Sequence, residues 1–94
     1  MDIYEAIATL KDSDECRRIL KDLCTPQELR DFNDRWEIAK LLDSGDCSYR
    51  NISAETGASL TTVTRVARFL KDEENLGYQM MLKRMKRRKR KNGD

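Results

Sequence analysis

Apolar residues recur at every third or fourth position along most of this chain, and no stretch alternates apolar with polar residues for long. This spacing is typical of amphipathic helices and not of strands. Short stripes over residues 3–10 and 12–24 predict two short helices, the second beginning at Asp12. Because the chain has one Pro and four Gly in 94 residues, it has little turn-forming sequence. We therefore predict an all-α protein.

A long helix is predicted to follow. Thr25 can cap it, Pro26 suits the first helical turn, and Glu28 can bond back to the cap backbone. An apolar stripe then runs from Leu29 to Leu42, and Ser44-Gly45 ends it where a left-handed residue is needed.

Two short helices separated by three residues come next. Ser48 can cap a helix over about 49–56, Gly57 breaks it, and Ser59 can cap another that extends to about Leu70. This spacing predicts a helix–turn–helix over about 48–70, a motif that in DNA-binding proteins places its second helix in the major groove. A last stripe from Tyr78 to Met85 predicts a final helix.

The second helix of this unit carries the candidate chemistry. If Val63, Val66, Ala67 and Leu70 face inward, the outward residues are Ser59, Thr61, Thr62, Thr64, Arg65 and Arg68. Short hydroxylated side chains let a helix approach base edges, and Arg50 on the preceding helix suits a phosphate or a base edge at the groove rim. The same pattern also fits a plain corner of two helices with a solvated Thr-rich face.

Charge is segregated along the chain. Residues 1–47 hold 7 basic and 12 acidic groups, whereas residues 48–94 hold 12 basic and 5 acidic groups. Eight basic residues lie within 83–91, so the positive field is local. We predict one helical domain over 1–85 and a disordered basic tail over 86–94, which either adds sequence-independent phosphate affinity or serves only as a soluble terminus.

Composition narrows the function classes. With 38% apolar residues in 94, a shared core in a homodimer is the expected route to stability.

The chain has no His, and its three cysteines are widely spaced, so we expect no metal site, cofactor or disulfide framework. We interpret the cysteines as buried small hydrophobic residues. No activated-nucleophile motif is present, so an enzyme is not expected. The N-terminus lacks signal-peptide order, which predicts a cytoplasmic protein without a membrane partner.

Several segments together resemble the tryptophan repressor over about residues 23–71. They are Leu-Cys-Thr-Pro-Gln-Glu (23–28), Arg-Trp-Glu-Ile (35–38), Leu-Leu-Asp-Ser-Gly (41–45), Ser-Tyr-Arg (48–50), Gly-Ala (57–58) and Thr-Val-Thr-Arg (62–65). The whole chain is similar to the tryptophan-repressor-related YerC/YecD family of small bacterial DNA-binding proteins. The resemblance implies a six-helix subunit that interlocks with a second copy and leaves the helix–turn–helix protruding.

The resemblance also assigns residues. It places Arg35 and Arg65 where two arginines of the repressor flank the bound indole, but Val66 and Phe69 stand where the repressor has Gly and Ser. A ring in place of a hydroxyl implies a pocket filled by protein, so tryptophan is not expected as corepressor. The DNA-facing positions implied by the resemblance are Arg50, Leu60, Thr61, Thr62 and Thr64.

The sequence therefore predicts a homodimeric, sequence-specific transcription regulator, such as a repressor, that binds double-stranded DNA through residues of about 59–70. Two alternatives stay open. One is a protein–protein interaction module with no specific DNA target, and the other is a tryptophan-responsive repressor.

Overall fold

The architecture is described by a computed structural model that covers residues 1–71 and 74–91, with side chains through residue 88. These residues form six helices and no strand: α1 Ile3–Ile7, α2 Ser13–Leu23, α3 Pro26–Ser44, α4 Tyr49–Thr56, α5 Leu60–Lys71 and α6 Gly77–Lys91. The all-α prediction is confirmed. Within the same residues, no helix combines the length and the apolar character needed to cross a membrane.

Side-chain caps set the helix starts that the sequence predicts. The Asp12 carboxylate accepts the Glu15 backbone N–H at 2.9 Å and starts α2. At α3, the Thr25 hydroxyl accepts the Glu28 N–H at 3.1 Å, while the Glu28 carboxylate accepts the Thr25 N–H at 2.8 Å. This reciprocal pair confirms the capping box, with Pro26 as the first helical residue.

The chain divides into two compact units, Met1–Phe32 and Asn33–Asp94. The first holds α1, α2 and the start of α3, and none of its side chains is buried. Four large apolar side chains in this unit are 43–54% exposed: Ile3, Ile7, Leu23 and Phe32. Since each unit is compact by itself, the single domain over 1–85 stays a prediction.

The cysteines differ from expectation. Cys16, Cys24 and Cys47 are free thiols and only half-buried, not fully buried. Two of them lie in the first unit, which has no buried side chain of any kind. The partial exposure of Cys16 and Cys24 therefore follows from the thin packing of that unit. Cys47 lies in the second unit, where it packs against the core.

The second unit contains a small core at which three helices meet. Ile38 and Ala39 come from α3, Ile52 from α4, and Val63 and Val66 from α5, all at 0–1% exposure. Ala67 and Leu70 of α5 and Leu82 of α6 extend the buried set. Trp36 and Tyr78 stack with ring centroids 6.5 Å apart.

The basic C-terminal segment is more ordered than the sequence predicts. Residues 86–91 were expected to be disordered but continue α6 to Lys91, and only 92–94 of the expected tail lie outside the described residues. Lys and Arg are good helix formers, and positive charge is favourable near a helix C-terminus. In addition, Lys86 Nζ lies 2.7 Å from the Asp43 carboxylate at the end of α3, which holds the middle of α6 in place.

Candidate nucleic-acid interface

The unit formed by α4, the turn and α5 is held by packing and by hydrogen bonds within the turn. Gly57 ends α4 with φ of 79°, a left-handed conformation that strains residues with a Cβ. The Thr56 hydroxyl donates to the Ile52 carbonyl at 2.8 Å and accepts the Ala58 N–H at 3.2 Å. The Ser53 hydroxyl donates to the Ala58 carbonyl. The two helices and their three-residue turn thus form a helix–turn–helix.

One face of α5 is buried and the opposite face is open. A shallow groove of about 490 Å³ follows the open face and is lined by Leu60, Thr61, Thr64, Arg65 and Arg68. In a helix with 3.6 residues per turn, these five positions lie on one side. The structure therefore brings five of the residues singled out in the sequence onto one continuous surface.

Ser59 and Thr62, which the sequence places among the DNA contacts, lie at the start of this helix and bond to each other. The Ser59 hydroxyl accepts the Thr62 N–H at 3.1 Å, and the two hydroxyl oxygens are 3.0 Å apart. Thr62 is half-buried, whereas Thr61 is exposed. Ser59 is the N-terminal cap of α5, so both hydroxyls have a structural role at the helix end.

Thr64 is exposed, and its hydroxyl is already committed as a donor. It donates to the Leu60 carbonyl one turn earlier, at 2.9 Å. A hydroxyl has one hydrogen and two lone pairs, so the Thr64 oxygen remains available as an acceptor. The Thr64 hydroxyl can therefore bind only hydrogen-bond donors of a partner molecule.

Positive charge predominates over residues 48–71, which include the helix–turn–helix. Arg50 is exposed on α4, where Ser48 caps the helix by accepting the Asn51 N–H at 3.1 Å. Residues 48–71 contain three arginines and Lys71, against a single acidic residue, Glu55. Such a surface favours an anionic partner.

The residues assigned to a ligand pocket differ in burial. Arg35 is half-buried on α3, and Val66 is 1% exposed within the core. Phe69 is half-buried, and the Arg65 guanidinium carbon lies 4.7 Å from the centre of its ring. The assignment of these residues to a former ligand site stays a prediction.

Two features of this region were missed in the sequence. The Arg68 guanidinium carbon also lies 5.7 Å from the Phe69 ring centre. Beside that ring is a groove of about 290 Å³, whose lining includes Trp36, Phe69, Leu76, Tyr78 and Met81. The four-residue spacing of Arg65 and Phe69 could have indicated their contact, but adjacent helix residues such as Arg68 and Phe69 give no such signal. Nothing local in the sequence links α3 to α6.

The part of the chain that the structure describes also lacks a candidate metal site. No group of three or more His, Cys, Asp or Glu side chains there could hold an ion.

The structure is that of a helix–turn–helix protein. The second helix of the motif packs one face against the core and leaves the opposite, basic face exposed. The family model of the Trp repressor protein matches residues 1–86. The chain therefore belongs to the Trp repressor family, which confirms the resemblance found in the sequence.

Three relatives illustrate the similarity. The chain is 42% identical over 84 residues to the uncharacterized protein YerC of Bacillus subtilis (strain 168), covering 89% of this chain and 79% of that protein. It superposes with a TM-score of 0.81 and 36% identity on a candidate Trp repressor from Staphylococcus aureus, covering 89% of this chain and 82% of that one. A TrpR-like protein from Eubacterium eligens ATCC 27750 gives a TM-score of 0.80 and 36% identity over 88% and 84% of the two chains.

The capping role of Ser59 leads to a stability prediction. Ser59→Ala should lower the free energy of unfolding by about 1 kcal/mol, because the Thr62 N–H loses its acceptor. Ser59→Asp should stay close to wild type, since Asp caps as well as Ser and its charge suits a helix N-terminus. Urea unfolding of the three proteins at one concentration measures this. Wild-type stability in Ser59→Ala would show that the hydroxyl does not act as a cap, and equal losses in both variants would show that Asp does not replace it.

Proposed function

We propose that this protein is a homodimeric transcription regulator that binds double-stranded DNA sequence-specifically, with α5 in the major groove and no catalytic step. The observation that carries the proposal is the open face of α5. It presents Leu60, Thr61, Thr64, Arg65 and Arg68 along one groove, while the opposite face of the same helix is buried.

The dimensions and side chains of α5 suit the groove. Its 12 residues span about 18 Å, and a helix with side chains is about 10–12 Å across, against about 12 Å for the major groove. Short side chains at Thr61 and Thr64 allow close approach, and the Leu60 side chain and the Thr methyls offer apolar contact to thymine methyls. Long side chains at positions 61 and 64 would hold the helix away from the bases.

Thr64 narrows what the helix can recognise. Because its hydrogen is given to the Leu60 carbonyl, its oxygen can only accept a hydrogen bond from DNA. In the major groove the base-edge donors are the amino groups of adenine and cytosine. Thr64 therefore favours an adenine or a cytosine at the base it contacts.

Arg50 serves a different purpose in the proposed complex. It is an exposed residue of α4, and it does not line the groove on the open face of α5. A contact from there to a phosphate would fix the position of the protein on the duplex without reading sequence.

A second copy of the chain is the proposed cover for the exposed apolar surface. The first unit buries none of its side chains, and in the second Leu76, Met80, Met81 and Met85 are 45–49% exposed. Full burial of such a side chain is worth roughly 1.5–3 kcal/mol, so leaving all of them in water would be costly for so small a protein. Family membership supports the same arrangement.

Two variants should affect DNA binding in different ways. Purified protein should enrich one motif with two-fold symmetry from random duplex DNA. On that duplex, Thr64→Val should cost about 1 kcal/mol and relax specificity at one position in each half-site, because an acceptor is lost. Arg50→Ala should weaken binding to selected and random duplexes alike and reduce the salt dependence.

Arg17→Ala is the matched control for charge, since Arg17 is an exposed residue of α2 that pairs with Asp14. It should leave DNA affinity unchanged. If no duplex is enriched and binding is indifferent to Arg50 and Thr64, the protein is an interaction module and not a DNA reader. If enrichment requires added tryptophan, the tryptophan-responsive alternative is correct.

The dimer prediction rests on the exposed apolar surface. Diluting the protein a hundredfold should lower the melting temperature by several degrees, because a folded subunit needs its partner. Met81→Glu, which places a charge in that surface, should shift the protein to monomer and lower its stability. Sedimentation equilibrium together with the melts checks both. A monomeric mass with a concentration-independent melt would contradict the shared core.

A further inference from the structure

The Phe69 ring contacts two cationic side chains of its own helix. The guanidinium carbon of Arg65 lies 4.7 Å from the ring centre, and that of Arg68 lies 5.7 Å from it. Both distances are within the roughly 6 Å at which a cation is attracted to an aromatic face. One ring thus serves two guanidinium groups, both of which line the groove on the open face of α5.

The ring is partly enclosed by its surroundings. Phe69 is half-buried, follows the buried Val66 and Ala67 on the same helix, and precedes the buried Leu70. It shares the wall of the 290 Å³ groove with the stacked pair Trp36 and Tyr78. The two arginines, by contrast, are exposed. The half-buried ring therefore lies beside two exposed guanidinium groups and offers both of them a support.

Restricting the rotamers of the two arginines before binding changes what binding costs. Arginine side chains carry large conformational entropy, and ordering them at an interface opposes association. A cation–π contact restricts the movement of the guanidinium group. Its N–H groups can still donate hydrogen bonds to an anion. Contact with a ring does not neutralise the charge, so the field presented to a phosphate is retained.

We infer that Phe69 is a positioning residue, which orients the guanidinium groups of Arg65 and Arg68 for contact with phosphates of bound duplex DNA. The inference rests on the proposed function and deepens it. Phe69 itself touches no DNA in this arrangement and acts only through the two arginines.

The test compares variants with and without a ring at position 69, using the duplex selected by the wild-type protein. Phe69→Leu should bind about three- to tenfold more weakly and with a shallower salt dependence, because two phosphate contacts lose their support. Phe69→Tyr retains the ring and should restore wild-type affinity and salt dependence. Phe69→Met is a second ringless variant, in case Leu lowers the melting temperature.

A double-mutant cycle separates positioning from packing. In an Arg65→Gln/Arg68→Gln background, replacing Phe69 by Leu should cause no further loss of DNA affinity, since the side chains through which it acts are gone. NMR of the free protein gives a readout that needs no DNA. Ring-current shifts of the Arg65 and Arg68 side-chain protons should be present in wild type and Phe69→Tyr and absent in Phe69→Leu.

The outcomes distinguish this inference from the proposed function. If the wild-type protein binds its duplex but Phe69→Leu binds equally well, or if the loss persists in the arginine-free background, the positioning role is wrong and DNA binding stands. If the wild-type protein binds no duplex, both are wrong, whatever the NMR shifts show.

Discussion

Burial of one face of α5 is the constraint on which the rest of this unit depends. Val63 and Val66 meet Ile38, Ala39 and Ile52 in a core that excludes water almost completely. Because a helix turns 100° per residue, fixing that face also fixes which side chains point outward. The groove of Leu60, Thr61, Thr64, Arg65 and Arg68 is the direct result. A polar side chain at Val66 would therefore disturb the outward surface as well as the core.

Hydroxyl groups that look alike in the sequence have different chemical roles in the structure. Ser59 and Thr62 bond to each other at the cap of α5, Thr64 donates to a backbone carbonyl, and Thr61 is exposed. Only the last two lie in the groove. Recognition of bases in the proposed complex therefore depends on fewer side chains than the Thr-rich sequence indicates, and on an oxygen of Thr64 that can accept but not donate.

Helix positions could be predicted because their signals are local. The Thr25–Glu28 box, the breaks at Gly45 and Gly57, and the apolar periodicity each act within a few residues. The helical conformation of residues 86–91 was not predicted, since like charges in sequence conceal the Lys86–Asp43 pair between distant positions. The grouping of Phe69 with Trp36 and Tyr78 was missed for the same reason. Contacts between α3, α5 and α6 have no signature in a single sequence.

In the proposed complex, the open face of α5 is the surface that meets DNA. Backbone amide shifts, followed while the selected duplex is added to labelled protein, test it most directly. We expect the largest changes at Leu60, Thr61 and Thr64, with smaller ones around Arg50. Changes confined to the basic residues of α6, with α5 unaffected, would contradict it, because the helix–turn–helix would then have no part in binding.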